Sequence, residues 1–195
     1  TVFRGFPAET FSLLRTQIHC ENRKETQTRV FSFRDGLTVT LMLTHYFSHG
    51  GTEWTVWFEN TGSENTGILS ELSAELEFSG AHPVLNGIWG DHVNQYRPYS
   101  MELDGQCASF SADTGRATHI SFPYFDLQHG DGGTMLAIGW AGTWHACFQG
   151  RADTVTYTAG AVNGLETFLK PGEKIRSALF VTAPYTRRSQ QYATN

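Results

Sequence analysis

The chain has 195 residues, 39% hydrophobic and 13% aromatic with only 17% charged, which gives one generous domain a core and excludes a disordered segment. A formal net charge of -5, with basic residues scattered and no cluster longer than Arg23-Lys24 or Arg187-Arg188, excludes a nucleic-acid surface. No run approaches the roughly 18 apolar residues of a membrane span, so no membrane partner is expected. The opening Thr1-Val2-Phe3-Arg4 lacks the apolar core of a signal peptide, and no Asn-x-Ser/Thr sequon occurs; the compartment stays open, with the cytoplasm slightly favoured.

Period-two alternation is the dominant pattern. Residues 37–47 place Leu37, Val39, Leu41 and Leu43 on one face, and residues 52–59 do the same with Trp54, Val56 and Phe58. With Gly50-Gly51 as a turn, the two predict an antiparallel pair. Residues 60–67 (NTGSENTG) read as a polar loop without an apolar anchor. Residues 68–78 are predicted as a strand, with Ile68, Leu72, Ala74, Leu76 and Phe78 on one side, although Ile68, Leu69, Leu72 and Leu76 also suit a helix. Residues 80–103 carry prolines, glycines and aromatics without clean periodicity and read as a long, ordered, functional loop.

Short strands are expected at 108–111, 118–122, 134–140, 143–149, 155–159, 166–169 and 174–182, a spacing typical of all-β folds. Ala141-Gly142 predicts a tight hairpin between the third and fourth of these. Lys170-Pro171-Gly172-Glu173 predicts a type II turn, with Pro second and Gly third.

Catalytic strings are missing: there is no G-x-S-x-G, P-loop, H-E-x-x-H, G-x-G-x-x-G or C-x-x-C. Cys20, Cys107 and Cys147 lie too far apart for a zinc signature and read as free thiols. His45 and His49 read as ordinary strand-end residues, and no pair of carboxylates stands out as a glycosidase dyad. No catalytic residue, metal ligand or cofactor is therefore assigned. Trp54, Trp140 and Trp144 sit in strand patterns and are expected in the core. Trp89 lies within Asn86-Gly87-Ile88-Trp89-Gly90-Asp91-His92, beside polar groups able to bind sugar hydroxyls.

Residues 115–127 (GRATHISFPYFDL) followed by 135–146 (MLAIGWAGTWHA) resemble the N-terminal domain of glycoside hydrolase family 36, whose members include α-galactosidases. Trp57-Phe58-Glu59-Asn60-Thr61-Gly62 and Leu169-Lys170-Pro171-Gly172-Glu173 are similar to two further steps of that pattern, so the likeness runs from about Phe6 to about Ala183. The resemblance implies an all-β, two-sheet antiparallel β-supersandwich of the galactose mutarotase-like kind over residues 1–184. Residues 185–195 would then open a linker towards a (β/α)8 barrel holding both catalytic aspartates. By the same likeness the chain is a non-catalytic scaffold and interface domain of a cofactor-free, homo-oligomeric retaining α-galactosidase, inactive alone. Separately, the isolated chain is expected to be monomeric or weakly associating and almost pure β. Trp89, Asp91 and Arg97 would lend substrate contacts, with Arg97 orienting the Asp91 carboxylate. An independent carbohydrate-binding module is the alternative, with a mutarotase-like enzyme behind it.

Overall fold

The computed structural model describes residues 11–33, 36–161 and 165–186, and these contain strands and turns but no α-helix. The strands are β1 (Ser12–Glu21), β2 (Lys24–Ser32), β3 (Leu37–Tyr46), β4 (Gly51–Asn60), β5 (Leu69–Ser70), β6 (Ser73–Ser79), β7 (Val84–Trp89) and β8 (Pro98–Glu102). They continue with β9 (Cys107–Ala112), β10 (Ser121–His129), β11 (Gly132–Gly139), β12 (Trp144–Arg151), β13 (Thr154–Ala161), β14 (Glu166–Thr167), β15 (Lys174–Arg176) and β16 (Leu179–Thr186). A large sheet runs β1-β2-β3-β4-β16-β11-β10-β7-β8, with β15 also on β4. A four-stranded sheet, β6-β13-β12-β9, faces it, and β14-β5 form a small ribbon. Every pairing is antiparallel. The fold is thus the all-β two-sheet sandwich expected.

Alternation decides which faces meet. Leu85, Phe125, Leu127, Leu136, Ile138 and Phe180 point inward from the large sheet against Phe110, Trp144, Phe148, Val155 and Tyr157 from the smaller one. A second cluster, Leu37, Val39, Phe58, Leu69 and Leu169, fills the end near β3 and β4. The β3–β4 pair has the predicted faces, running from Leu37 opposite Asn60 to Tyr46 opposite Gly51. The turn at 170–173 also forms, with Gly172 at φ +81° and the Glu173 N–H donating to the Lys170 carbonyl at 2.9 Å.

Other expectations change. Ala141-Gly142 does not close a hairpin: β11 pairs with β10 and β16, whereas β12 pairs with β13 and β9, so the link is a corner between the sheets. Ile138 and Trp144 face one core from opposite layers, and a hairpin would have put both strands in one layer. Residues 68–78 split into β5 and β6 at Glu71, whose φ is +49°, so Leu69 is buried and Ile68 exposed. The expected strand at 118–122 begins only at Ser121, because 117–120 form a turn. The run 174–182 is broken between β15 and β16, where the Ser177 N–H donates to the Val56 carbonyl at 2.8 Å. Residues 80–103 are no single loop but contain β7 and β8, paired from Val84 opposite Glu102 to Ile88 opposite Pro98. Tyr185 and Thr186, expected to open the linker, finish β16 opposite Gly133 and Gly132; residues 187–195, with Arg187-Arg188, lie outside the described residues, as does Thr1-Val2-Phe3-Arg4.

The loop at 60–67 has an anchor after all, and it is polar. Asn60 is 1% exposed; its Nδ2 donates to the carbonyls of Glu64 at 2.7 Å and Leu169 at 2.8 Å, while its Oδ1 accepts from the Gly62 N–H at 2.9 Å.

Burial raises the Tyr99 and Tyr157 phenols well above their usual value near 10. Both hydroxyls are buried without a hydrogen-bond partner among the described residues. The folded state therefore keeps protons that the unfolded chain releases. Their contribution is fully present below pH 10 and is lost as pH rises beyond it. Urea unfolding at pH 8 and pH 11 should show the loss, and Tyr157→Phe should reduce it; equal slopes of stability against pH for parent and variant would contradict this account.

Candidate functional site

Two connections meet at one end of the sandwich: residues 90–97 between β7 and β8, and residues 113–120 between β9 and β10. Backbone bonds staple them, from the N–H of Gly90 to the Ile120 carbonyl at 2.8 Å, of Asp91 to Thr118 at 2.7 Å and of His92 to His119 at 3.1 Å. Gly90 is required there, since a Cβ would lie 2.2 Å from the Thr118 carbonyl oxygen. The second connection is held from below by the Trp144 indole N–H, which donates to the Ala117 carbonyl at 2.7 Å.

The three candidate residues fall in or beside this stapled unit but play different parts. Trp89 ends β7 and turns inward, packing on Tyr99 at 5.0 Å and Phe110 at 6.1 Å between ring centroids. It anchors the loop where a sugar-stacking face was expected, because residue 89 shares the inward face with Leu85 and Gly87. Asp91 is half-buried and braced: Thr118 Oγ1 donates to Oδ2 at 2.9 Å, and Arg116 reaches Oδ1 at 3.0 Å. The expected Arg97 partnership is thus replaced by Arg116. Arg97 is exposed, its N–H donating to the Asn94 carbonyl at 3.0 Å and its carbonyl accepting from the Trp89 N–H at 2.9 Å.

Sequence reading missed Arg116, Thr118 and His119. Arg116 bridges Asp91 and the His119 ring, with its guanidinium 2.7 Å from Nδ1, and His119 stacks on His92 with centroids 4.5 Å apart. Their one signal was the run 115–127, prominent in the sequence for other reasons. The exposed rim adds Val93, Tyr96 and Ile120. This is an edge with hydrogen-bonding groups and apolar patches, open on one side, and not an enclosed pocket. Clefts beside Trp57, Trp140 and Arg176, and beside His129, Thr134 and Tyr185, lie elsewhere.

The strand-end histidines have local partners. His45 Nδ1 lies 3.0 Å from Thr52 Oγ1, and His49 Nδ1 accepts from the Gly51 N–H at 3.1 Å. Among the described residues no group of three His, Cys, Asp or Glu side chains is placed to hold a metal, and no helix is long and apolar enough to cross a membrane. Cys20, Cys107 and Cys147 are free.

No family model and no curated protein matches the chain in sequence. Solved structures do match. The galactosidase domain of the α-galactosidase-sucrose kinase AgaSK superimposes over 90% of this chain with a TM-score of 0.73 at 14% identity. The family 36 α-galactosidase AgaA from Geobacillus stearothermophilus does so over 90% with a TM-score of 0.71 at 19% identity. The fold is shared with family 36 α-galactosidases. The chain spans 28% of either of those proteins. A galactose mutarotase-like protein from Lactobacillus casei matches over 87% of this chain and 73% of its own, at 12% identity and a TM-score of 0.52. The resemblance carried by residues 115–127 and 135–146 therefore holds at the level of fold, including its mutarotase-like character.

Proposed function

We propose that the chain is a non-catalytic scaffold and interface domain of an α-galactosidase-like retaining glycoside hydrolase, partnered by a (β/α)8 catalytic barrel in the same protein. One observation carries this reading: nearly the whole chain superimposes on α-galactosidases, yet it spans only about a quarter of their length. A retaining mechanism needs two carboxyl groups about 5 Å apart across the scissile bond. The family resemblance puts both in the barrel. The independent-module reading has less behind it, because the matched structures include so much more than this domain.

In this proposal the stapled loop 90–97 reaches the α-galactoside pocket. Asp91 accepts a hydroxyl hydrogen bond on the lone pair of Oδ2 left free by Thr118, its Oδ1 being buried and turned to Arg116; Arg97 adds donors at the exposed end, and Trp89 fixes the loop's height. The braces hold the Asp91 carboxylate in one orientation before substrate arrives, which lowers the ordering cost of binding. In the parent enzyme, Asp91→Ala should lower kcat/KM about ten- to hundredfold, the equivalent of roughly 1.5–3 kcal/mol. Unchanged kinetics at unchanged stability would make the loop purely structural.

The chain on its own should not hydrolyse a nitrophenyl α-galactoside. Turnover that survives removal of host enzymes would defeat the scaffold reading, whereas tight binding of galacto-oligosaccharides by the isolated chain would turn the balance to an independent module.

A further inference from the structure

We infer that β1 is a self-pairing edge, through which two copies of this chain join by antiparallel β1–β1 pairing about a two-fold axis at Ile18. Among the described residues β1 bounds the large sheet and is hydrogen-bonded on one side only, to β2. All ten of its residues are exposed, including Leu13, Leu14 and Ile18 at 57%, 62% and 58%. It contains no proline or lysine, two of the residues that blunt a free edge, and its one bulge lies near its start. The opposite edge is guarded: β8 is five residues long and begins with Pro98. A ten-residue strand with both faces in water and one row of backbone groups unpaired gains from a partner strand.

The sequence of β1 specifies which partner and which register. A bulge between Leu13 and Arg15 spoils the first part of the strand, and from Arg15 opposite Val30 to Glu21 opposite Lys24 the ladder is regular. That regular stretch is centred on Ile18, and its two ends carry the strand's only full charges, Arg15 and Glu21. An antiparallel copy with Ile18 opposite Ile18 sets Arg15 against Glu21 twice, Thr16 against Cys20 and Gln17 against His19. Each facing pair shares one side of the sheet, as antiparallel geometry requires. Arg15 has no side-chain ion pair or hydrogen bond among the described residues, while Glu21 lies 3.2 Å from His19 at its own strand end. A slip by one position sets Arg15 against Cys20 or Asn22 and leaves every charge unmatched. The contact is isologous, using one patch on both copies, and so closes as a dimer instead of growing into a fibre.

The test is sedimentation equilibrium of the 195-residue chain from about 1 to 500 μM with paired charge variants. The parent should show a concentration-dependent dimer. Arg15→Glu alone and Glu21→Arg alone, each placing like charges face to face, should weaken it roughly tenfold, and the two together should restore it. Because directly opposed Cα atoms lie about 4.5–5.5 Å apart, within disulfide reach, Ile18→Cys in a Cys20→Ser background should cross-link on mild oxidation, and Thr16→Cys in that background should not. The Cys variants also answer the question if a charge variant fails to fold. A chain that stays monomeric throughout, a dimer indifferent to the single charge changes, or cross-linking no better at position 18 than at 16 would overturn the proposal. None of these readouts depends on α-galactosidase activity.

Discussion

Trp144→Ala is expected to destabilise the domain by about 3–5 kcal/mol, a large share of the roughly 5–15 kcal/mol that holds a domain folded. Trp144 is 0% exposed, meets Phe125 edge-on at 6.0 Å and sits where the chain has just crossed from the large sheet to the small one. Its removal leaves a cavity between two layers held apart by their own ladders, so neither sheet can collapse into it. The indole N–H adds a separable second effect. Trp144→Phe keeps most of the ring volume but leaves the Ala117 carbonyl without its donor, at about 1–3 kcal/mol. That smaller loss should come with faster amide exchange over 113–120, the connection that carries Arg116, Thr118 and His119. Chemical denaturation gives the first number and hydrogen exchange the second; a Trp144→Ala variant within 1 kcal/mol of the parent would contradict the packing described.

Gly150→Ala is expected to cost about 3 kcal/mol or more, at the upper end of what overpacking does. A Cβ there would lie 1.6 Å from the Leu103 carbonyl oxygen and 2.7 Å from its carbon. Neither neighbour can step aside. The Leu103 carbonyl accepts from the Gln106 N–H at 3.1 Å, the Leu103 N–H donates to Pro83 at 2.9 Å, and the Gly150 N–H itself donates to Gln106 at 2.8 Å. The turn after β8 is thus pressed onto the end of β12 backbone against backbone. Gly67→Ala, where an added Cβ meets nothing within 4 Å, should by contrast be close to neutral in the same urea titration. Equal midpoints for the two variants would rule out the close approach at Gly150.

These residues also show what can be read from a sequence. β3 and β4 were legible because their inward positions from Leu37 to Leu43 and from Trp54 to Phe58 are all large and apolar, so alternation alone gives the face and the turn gives the register. β7 was not, because its middle inward position is Gly87. There the Tyr99 ring fills the space a side chain would occupy, with its hydroxyl 2.3 Å from where a Cβ would be. The apolar bulk belongs to the neighbouring strand, and the alternation is visible only across the pair. The false hairpin at Ala141-Gly142 has a similar origin. Two apolar strands joined by a short link look alike whether the second strand pairs with the first or packs over it, and the choice rests on β10, β13 and β16, whose pairings no local pattern encodes. At the candidate site, Asp91 stood out as a polar residue beside Trp89, but its partner Arg116 lies in another loop, brought close only because β7 and β10 are neighbours in the sheet. Arg97 was the nearer cation in sequence and the wrong one in space.

The position of β16 bears on how the molecule is made. It lies between β4 and β11, opposite Trp54 through Phe180 on one side and opposite Gly132 through Gly139 on the other. Until it is laid in, the β1–β4 meander and the β11-β10-β7-β8 half of the large sheet share no backbone bond among the described residues, and each has an open edge facing the gap. During synthesis the first half waits for more than a hundred residues before its partner strand exists. Closure of the large sheet is therefore a late event of long sequence separation, slow because the entropy of a long loop is lost before the pairing rewards it. In that interval the nascent chain exposes β4 as a template for wrong partners, and a chaperone that shields this edge should raise the yield of folded protein more than one that acts after release.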